Sequence, residues 1–361
     1  MKEFFPVLLN FIKDHEIVSI SPYGEGHING TFLAETLYDN KPVKYILQKI
    51  NTNLFKSVEN LMSNITLVTE FVYKKVIEKG GNPDKECLTL VKTTDGKSYY
   101  ECELGAFRVY KFIDGKSYQS VENPNQFYQS AVAFGNFANL LGEFDASKLY
   151  EIIPNFHNTQ KRFEAFLESL EKDVLNRASS VKEEIDFVLK RKDYCSKIVD
   201  LLASKKMPTR VTHNDTKLNN VMFDKDKDEC IAVIDLDTIM PGSLCYDFGD
   251  SIRFGCNHSL EDEKDLSKVN FDLELFDYYT RGYLSAIGKN ITQIEKDNLA
   301  FGSILMTYEC GMRFLKDYLD GDVYFRVHRE GHNLDRARTQ FKLVSDMERD
   351  LVKMQEIVNK Y

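Results

Sequence analysis

Two carboxylates and an amide stand in this chain at a spacing suited to phosphate chemistry. In His213-Asn214-Asp215-Thr216-Lys217-Leu218-Asn219-Asn220 an aspartate is followed by an asparagine five positions on, and Ile234-Asp235-Leu236-Asp237 comes shortly after. Transfer of a phosphoryl group from ATP needs one carboxylate to accept the proton of the attacking hydroxyl. It also needs an amide oxygen and a second carboxylate to hold magnesium against the phosphate oxygens. On this pattern Asp215 is the expected base, Asn220 and Asp235 are the expected metal ligands, and ATP and Mg2+ are the expected cofactors. Each residue alone is commonplace in turns and at strand ends; the joint spacing, with a β-hairpin expected between them, carries the reading.

A second segment, Gly24-Glu25-Gly26-His27-Ile28-Asn29-Gly30-Thr31-Phe32, places glycines where backbone amides could approach phosphates. Gly24, Gly26, Ile28 and Asn29 are therefore expected at the nucleotide. A Rossmann reading fails, because no strand followed by a long helix surrounds the segment and no spaced acid follows. Gly96-Lys97-Ser98 and Gly115-Lys116-Ser117 resemble the end of a P-loop, but the required first glycine is Val91 in one case and Tyr110 in the other. His328 and His332 lie four apart, yet Arg329 fills the position a zinc protease gives to its glutamate.

These residues need elements to hold them. Val43 to Ile50 reads as a strand, and Leu88–Thr94 with Lys97–Glu101 as a hairpin about Asp95-Gly96. Between them Val58, Leu61, Met62, Ile65, Val68, Val72 and Val76 recur at helical steps, ended by Gly80-Gly81. Ala106–Ile113 is strand-like and stops at Asp114-Gly115, where the junction between two domains is expected. From Asn125 onward the chain is mostly helical: Phe127, Ala131, Phe134, Phe137 and Leu141 form one stripe, and residues 160–204, 269–287 and 291–319 read as further helices. One β interruption, Asn220–Phe223 then Ile231–Asp235 about a charged turn, breaks the helical region.

Composition narrows the partners. The formal charge of −9 puts no net field in favour of phosphate backbones or anionic lipid, so nucleic acid is not an expected partner. Seven cysteines without a C-x-x-C pair form neither a zinc site nor a disulfide framework and suit a reducing, cytoplasmic setting. Phe4 to Ile12 reads as a packed amphipathic helix rather than a signal peptide, and no run of eighteen apolar residues is free of charge, so no membrane span is expected.

The loop VTHNDTKLNNVMF, the segment AVIDLDTIMPG and Tyr246-Asp247-Phe248-Gly249-Asp250 together resemble the aminoglycoside phosphotransferase and choline kinase superfamily. Within it, the N-acetylhexosamine 1-kinase type is the nearest match, sharing the block from Gly311-Met312-Arg313 to Tyr324-Phe325. The resemblance runs from about residue 20 to the end of the chain. It implies an α+β, protein-kinase-like fold of two lobes: a small β-rich N-terminal lobe with one long helix, and a larger, mostly helical C-terminal lobe. Residues 1–113 would then be the nucleotide-binding lobe and 114–361 the catalytic and substrate-binding lobe.

The resemblance also implies transfer of the γ-phosphoryl group to the anomeric hydroxyl of N-acetylglucosamine or N-acetylgalactosamine, with a small-molecule sugar as partner. Thr238, Arg313 and Tyr324 would line the sugar site with His27 close by. Asp247 would hold the catalytic loop's backbone, with His213 in support, and adenine would dock on Val109–Ile113 beside Tyr110 and Phe112. The strand lysine of protein kinases is matched here by Gln48, with Lys49 on the opposite face and Glu59 or Glu70 as its possible partners. Other acceptors within the same fold are homoserine, choline or an aminoglycoside, and a non-catalytic nucleotide-binding regulator is the alternative from another class.

Overall fold

A computed structural model of the protein describes residues 1–24 and 28–361. In chain order the elements begin with α1 (Phe5–Leu9), β1 (Glu16–Pro22), β2 (Gly30–Tyr38), β3 (Lys41–Lys49), α2 (Val58–Glu78) and α3 (Pro83–Glu86). They continue with β4 (Leu90–Val91), β5 (Tyr100–Cys102), β6 (Gly105–Lys111), α4 (Pro124–Leu140), α5 (Thr159–Lys172), α6 (Lys182–Leu189), α7 (Tyr194–Ala203) and β7 (Arg210–Thr212). The remainder is β8 (Val221–Phe223), β9 (Cys230–Val233), β10 (Met240–Gly242), α8 (Leu244–Gly255), α9 (Leu273–Ile287), α10 (Gln293–Asp297), α11 (Leu299–Leu319) and α12 (His332–Lys360). Two compact units emerge. One comprises Met1–Lys116, Ser147–Ile153 and Val221–Met240; the other comprises Ser117–Ala146, Pro154–Asn220 and Pro241–Tyr361.

The first unit is built on an antiparallel sheet of order β1-β2-β3-β6-β4, with β5 also paired to β6. The expected strand about Val43–Ile50 is β3, and the expected helix is α2. Ser57 caps α2 by accepting from the Asn60 N–H at 3.2 Å, and Leu61, Met62, Ile65, Val68, Val72 and Val76 are its buried stripe. The N-terminal segment packs as its apolar spacing implies: Phe4, Val7, Leu8, Phe11 and Ile12 join Ile20, Ala34, Leu47, Phe107 and Val109 in one core.

The hairpin expected between 88–94 and 97–101 does not form. The turn at Asp95-Gly96 is there, with Gly96 N–H donating to the Thr93 carbonyl at 2.8 Å, but it closes no ladder. Both flanks pair instead with β6: Leu90–Val91 with Tyr110–Val109, and Tyr100–Cys102 with Phe107–Gly105. The buried run from Ala106 to Tyr110 offers a larger apolar surface than the two short flanks offer each other. The second expected hairpin is present, with Val221 opposite Val233 and Met222 opposite Ala232.

In the second unit helices dominate. The stretch 160–204 is three helices: α5 ends where Asp173 adopts a left-handed conformation, and a turn at residues 190–193 separates α6 from α7. The stretch 291–319 is likewise divided at Asn298 into α10 and α11. Asn123 caps α4 and Asp272 caps α9 through side-chain oxygens that accept early backbone N–H groups. Helices α8 and α11 approach backbone to backbone. A Cβ on Gly249 would stand 2.3 Å from the Gly302 carbonyl oxygen, and one on Gly302 would stand 2.6 Å from that of Cys245. Among the described residues no helix is long and apolar enough to cross a membrane.

Candidate active site

Candidate residues fall in both units. In the second unit the loop 213–220 is fastened by α8. Asp247 accepts the N–H groups of His213 at 2.8 Å and Asn214 at 2.7 Å, and Asp250 accepts that of Thr216 at 3.0 Å. The Thr216 hydroxyl donates to the Asp247 carbonyl at 2.6 Å, and the Ser251 hydroxyl to the Thr216 carbonyl at 2.9 Å. Asn214 sits at φ +64°, a left-handed turn that asparagine tolerates. His213 is fully buried with its ring against Phe134 and Phe137, and its Nδ1 accepts the Asp215 N–H at 3.3 Å.

These anchors leave Asp215 half-buried, with both carboxylate oxygens oriented. Asn220 Nδ2 donates to Oδ2 at 3.0 Å and to the Asp215 carbonyl at 2.8 Å, while Lys217 Nζ lies 2.8 Å from Oδ1. The amide nitrogen of Asn220 is thereby used, which assigns its oxygen to any cation. Burial works against the charge of Lys217, but the carboxylates of Asp215 and Asp250 outweigh it and hold the ammonium above its ordinary value. Burial pushes Asp247 up from the usual carboxylate range. Asp250 is driven the other way: burial would raise it, but Arg253, at 3.0 Å, with Lys217 and His157, holds it down.

Farther along the second unit, Arg313 on α11 stands over the rings of Phe156 (5.5 Å), Phe325 (5.5 Å) and Tyr324 (5.9 Å). Tyr324 is exposed, and its N–H is held by Asp317 at 2.8 Å. Arg162 shares this patch, its Nε donating to the Phe156 carbonyl at 3.1 Å; burial first, then Arg313, lowers its guanidinium. Behind them Glu309 is buried, accepting from Thr159 at 2.5 Å and paired with His157 Nδ1 at 2.8 Å. Burial would raise Glu309, but His157 and Arg313 hold it below its ordinary value.

In the first unit, Asp235 follows the β8–β9 hairpin. It is exposed, at φ +61°, and opens the short turn Leu236–Thr238. Asp237 is buried, and its carboxylate meets Arg108 of β6 at 2.5 Å. Asn29 also donates to Asp237, while its oxygen accepts the Asn51 N–H at 3.0 Å. Arg108 is fully buried directly across the ladder from Gln48, to whose Oε1 its Nε donates at 3.0 Å. Burial works against this guanidinium, but Asp237 outweighs it and raises the group. Gln48 Nε2 in turn donates to Thr31 at 3.1 Å.

Gln48 therefore faces inward as the strand alternation requires, and Lys49 is exposed on the other side; Glu70 pairs with Lys92 at 2.8 Å. Tyr110 is buried beneath Arg108, and Phe112 lies against Tyr23. Thr238 is half-buried at the end of its turn. Gly24 is at φ +73° and Ile28 is exposed, whereas Gly26 and His27 lie outside the described residues.

Lys217, Arg108 and Asp237, which pair with or stand beside the expected residues, carry no expected role in the sequence. Arg108 had a signal: it is the one charge inside the apolar stretch Ala106–Tyr110, and a buried guanidinium demands a partner.

A family profile described as the phosphotransferase enzyme family, APH, matches residues 75–285, a span that contains both acidic segments. The chain belongs to this family. Its fold is also that of solved structures at low identity. An aminoglycoside phosphotransferase from Alicyclobacillus acidocaldarius superposes with a TM-score of 0.61 at 10% identity, over 97% of this chain and 96% of that one. A choline kinase from Cryptosporidium parvum gives 0.57 at 15%, over 100% and 99%. A spectinomycin phosphotransferase in complex with ADP and spectinomycin gives 0.54 at 14%, over 99% and 98%. The expected α+β class and superfamily thus hold, with an antiparallel sheet in the N-terminal region and a larger helical part.

Proposed function

We propose that the protein is a kinase that transfers the γ-phosphoryl group of ATP to the anomeric hydroxyl of an N-acetylhexosamine, giving the sugar 1-phosphate. The observation that carries this reading is the Asp215 carboxylate, fixed at both oxygens by Asn220 and Lys217 on a loop whose backbone is fastened by Asp247 and Asp250. Membership of the phosphotransferase family supports the reaction class, and the ADP bound to the spectinomycin phosphotransferase supports ATP as donor.

Asp215 accepts the proton of the sugar hydroxyl as the new oxygen–phosphorus bond forms. The bond from the γ-phosphorus to its bridging oxygen breaks, and ADP leaves with that electron pair. An anomeric hydroxyl is more acidic than an ordinary alcohol, so orientation is the larger part of Asp215's task. Lys217 remains charged and offsets the negative charge that gathers beside Asp215.

Asn220 through its amide oxygen and the exposed Asp235 through its carboxylate are hard oxygen donors, the kind magnesium takes. Magnesium, when bound, neutralises phosphate oxygens. Asp247 keeps the loop backbone in place with His213 packed beneath it. Gly24, Gly26, Ile28 and Asn29 belong to the nucleotide segment, with Gln48, Tyr110 and Phe112 on its side of the site. Asn29 and Gln48 act there as supports, since both ends of each amide are engaged within the first unit.

Thr238, Arg313, Tyr324 and His27 are assigned to the acceptor. Two guanidinium groups about Phe156, Arg162 and Arg313, favour a neutral polyol over choline or an aminoglycoside, whose cations they repel.

The test is ADP release across N-acetylglucosamine, N-acetylgalactosamine, choline, homoserine and an aminoglycoside, with phosphorus NMR of the product. Acceptor-dependent turnover with an N-acetylhexosamine and a phosphorus signal coupled to the anomeric proton is expected. Turnover confined to choline, homoserine or the aminoglycoside would replace the acceptor; nucleotide binding with no turnover on any of them would leave a regulator.

A further inference from the structure

The segment that carries Asp235 contains a second acid, Asp237, and their environments are opposite. Asp235 is exposed; Asp237 is buried, in contact with Arg108 at 2.5 Å and accepting from Asn29. A carboxylate so engaged is not available to a cation unless Arg108 is left without its counter-ion inside the protein. Among the nearest groups Arg108 has Asp237 at its Nη2, Gln48 at its Nε, the Met62 sulfur 4.0 Å from Nη1 and the Tyr110 ring beneath it.

We infer that Arg108 is a positioning residue for the divalent cation: by binding Asp237 it fixes the Asp235–Thr238 turn and so aims the Asp235 carboxylate, which alone of the two acids ligates metal. This rests on the proposed role of Asp235.

The geometry explains how a residue on β6 reaches this task. Four separate pieces of the first unit meet at the Arg108–Asp237 pair. Asn29 comes from just before β2, Gln48 from β3, Met62 from α2, and Asp237 from the turn after β9. Two residues farther along α2, the buried Asn64 adds a second fixture on the same stretch of chain: its Nδ2 donates to the Ile239 carbonyl at 2.9 Å and to that of Tyr150 at 2.8 Å. The turn is thus held at Asp237 and again at Ile239, while Asp235 itself stands at φ +61°, a conformation that a non-glycine residue keeps only when its surroundings hold it. Outer partners of metal ligands commonly contribute about 10–100-fold in metal affinity by this kind of orientation.

The direct experiment is Mn2+ titration of the full chain by electron paramagnetic resonance in the presence of ADP, with thermal melts of each variant alongside. Asp235→Asn is the control and is expected to abolish the tight Mn2+ site; unchanged affinity there would overturn the role of Asp235 and this inference with it. With that control in place, Arg108→Met in a folded state is expected to weaken Mn2+ about 10–100-fold while ADP binding without metal stays within twofold. Mn2+ affinity within twofold of the parent in folded Arg108→Met overturns the inference and leaves the role of Asp235 intact.

If Arg108→Met does not fold, Asn29→Ala removes one bond to Asp237 without leaving a buried charge, and a several-fold loss of Mn2+ affinity is expected; no loss overturns the inference. A Mn2+ stoichiometry of two on this segment, reduced to one by Asp237→Asn, overturns it as well.

Discussion

The Asp215 loop and the turn after Asp235 each engage a buried acid of their own unit, Asp247 and Asp237, but the two buried acids make different contacts. Asp247 grips neutral backbone N–H groups of the Asp215 loop, so it acts directly on main-chain shape. Asp237 grips a guanidinium, so at that residue the turn is held through two side chains and depends on where β6 places Arg108, with Asn64 holding the chain again at Ile239. A backbone grip has no substitute once its acceptor is lost. An ion pair has one, because two apolar side chains of similar volume can replace both charges.

The largest effect is expected where the carboxylate meets the reaction. Asp215→Asn should lower kcat by about 10²–10⁴ with the nucleotide KM near its original value, measured by ADP release. A folded Asp215→Asn protein with full turnover would end its role as base.

Next, Asp237→Ala leaves the Arg108 charge buried without its partner, and urea unfolding should report a loss of about 3–5 kcal/mol. The double variant Arg108→Met/Asp237→Leu should recover most of that loss, because neither charge then remains. Asp247→Ala should cost about 1–3 kcal/mol for each buried N–H it orphans, and no second substitution at a side chain should restore it. Recovery in both cases, or in neither, would erase the distinction between the two grips.

A smaller effect is expected at the acceptor. Arg313→Ala should raise the sugar KM about 10–150-fold, in line with roughly 1.5–3 kcal/mol for a hydrogen bond to a charged group, and leave the ATP KM unchanged. Equal damage to both substrates would remove Arg313 from the acceptor.

The mildest test is acid. Asp250 and Glu309 have folded values below their ordinary ones, so their contribution is complete above about pH 4–5 and is lost as pH falls through the folded values. Asp247 is raised, so its protonation favours the folded state as pH falls and opposes that loss. Stability against pH should therefore fall less steeply on the acid side in Asp250→Asn and more steeply in Asp247→Asn.

What could be read from the sequence follows the same division. The loop was legible because its candidates stand close together in sequence: Asp215 and Asn220 are five positions apart, and Asp247 lies in a recognisable block on α8, although Lys217 between them went unread. Helix α2 and the β8–β9 hairpin were legible from apolar spacing alone. The Arg108–Asp237 pair was not, since it joins positions far apart in sequence through a strand register that periodicity does not give. The hairpin expected about Asp95-Gly96 failed for a related reason: local turn chemistry was right, but the longer apolar strand β6 captured both flanks. The end of α5 within 160–204 turned on Asp173 in a left-handed conformation, to which an apolar stripe is blind.

The contact of Gly249 with Gly302 has a consequence for the chemistry at a distance. The helix that supplies Asp247, Asp250 and Ser251 rests on its neighbour with only hydrogen atoms between the two main chains. One added methyl group at either glycine would wedge the helices apart and shift the carboxylates that hold the backbone of the Asp215 loop. The placing of that loop is thus tied to a spacing between helices that the loop itself does not touch.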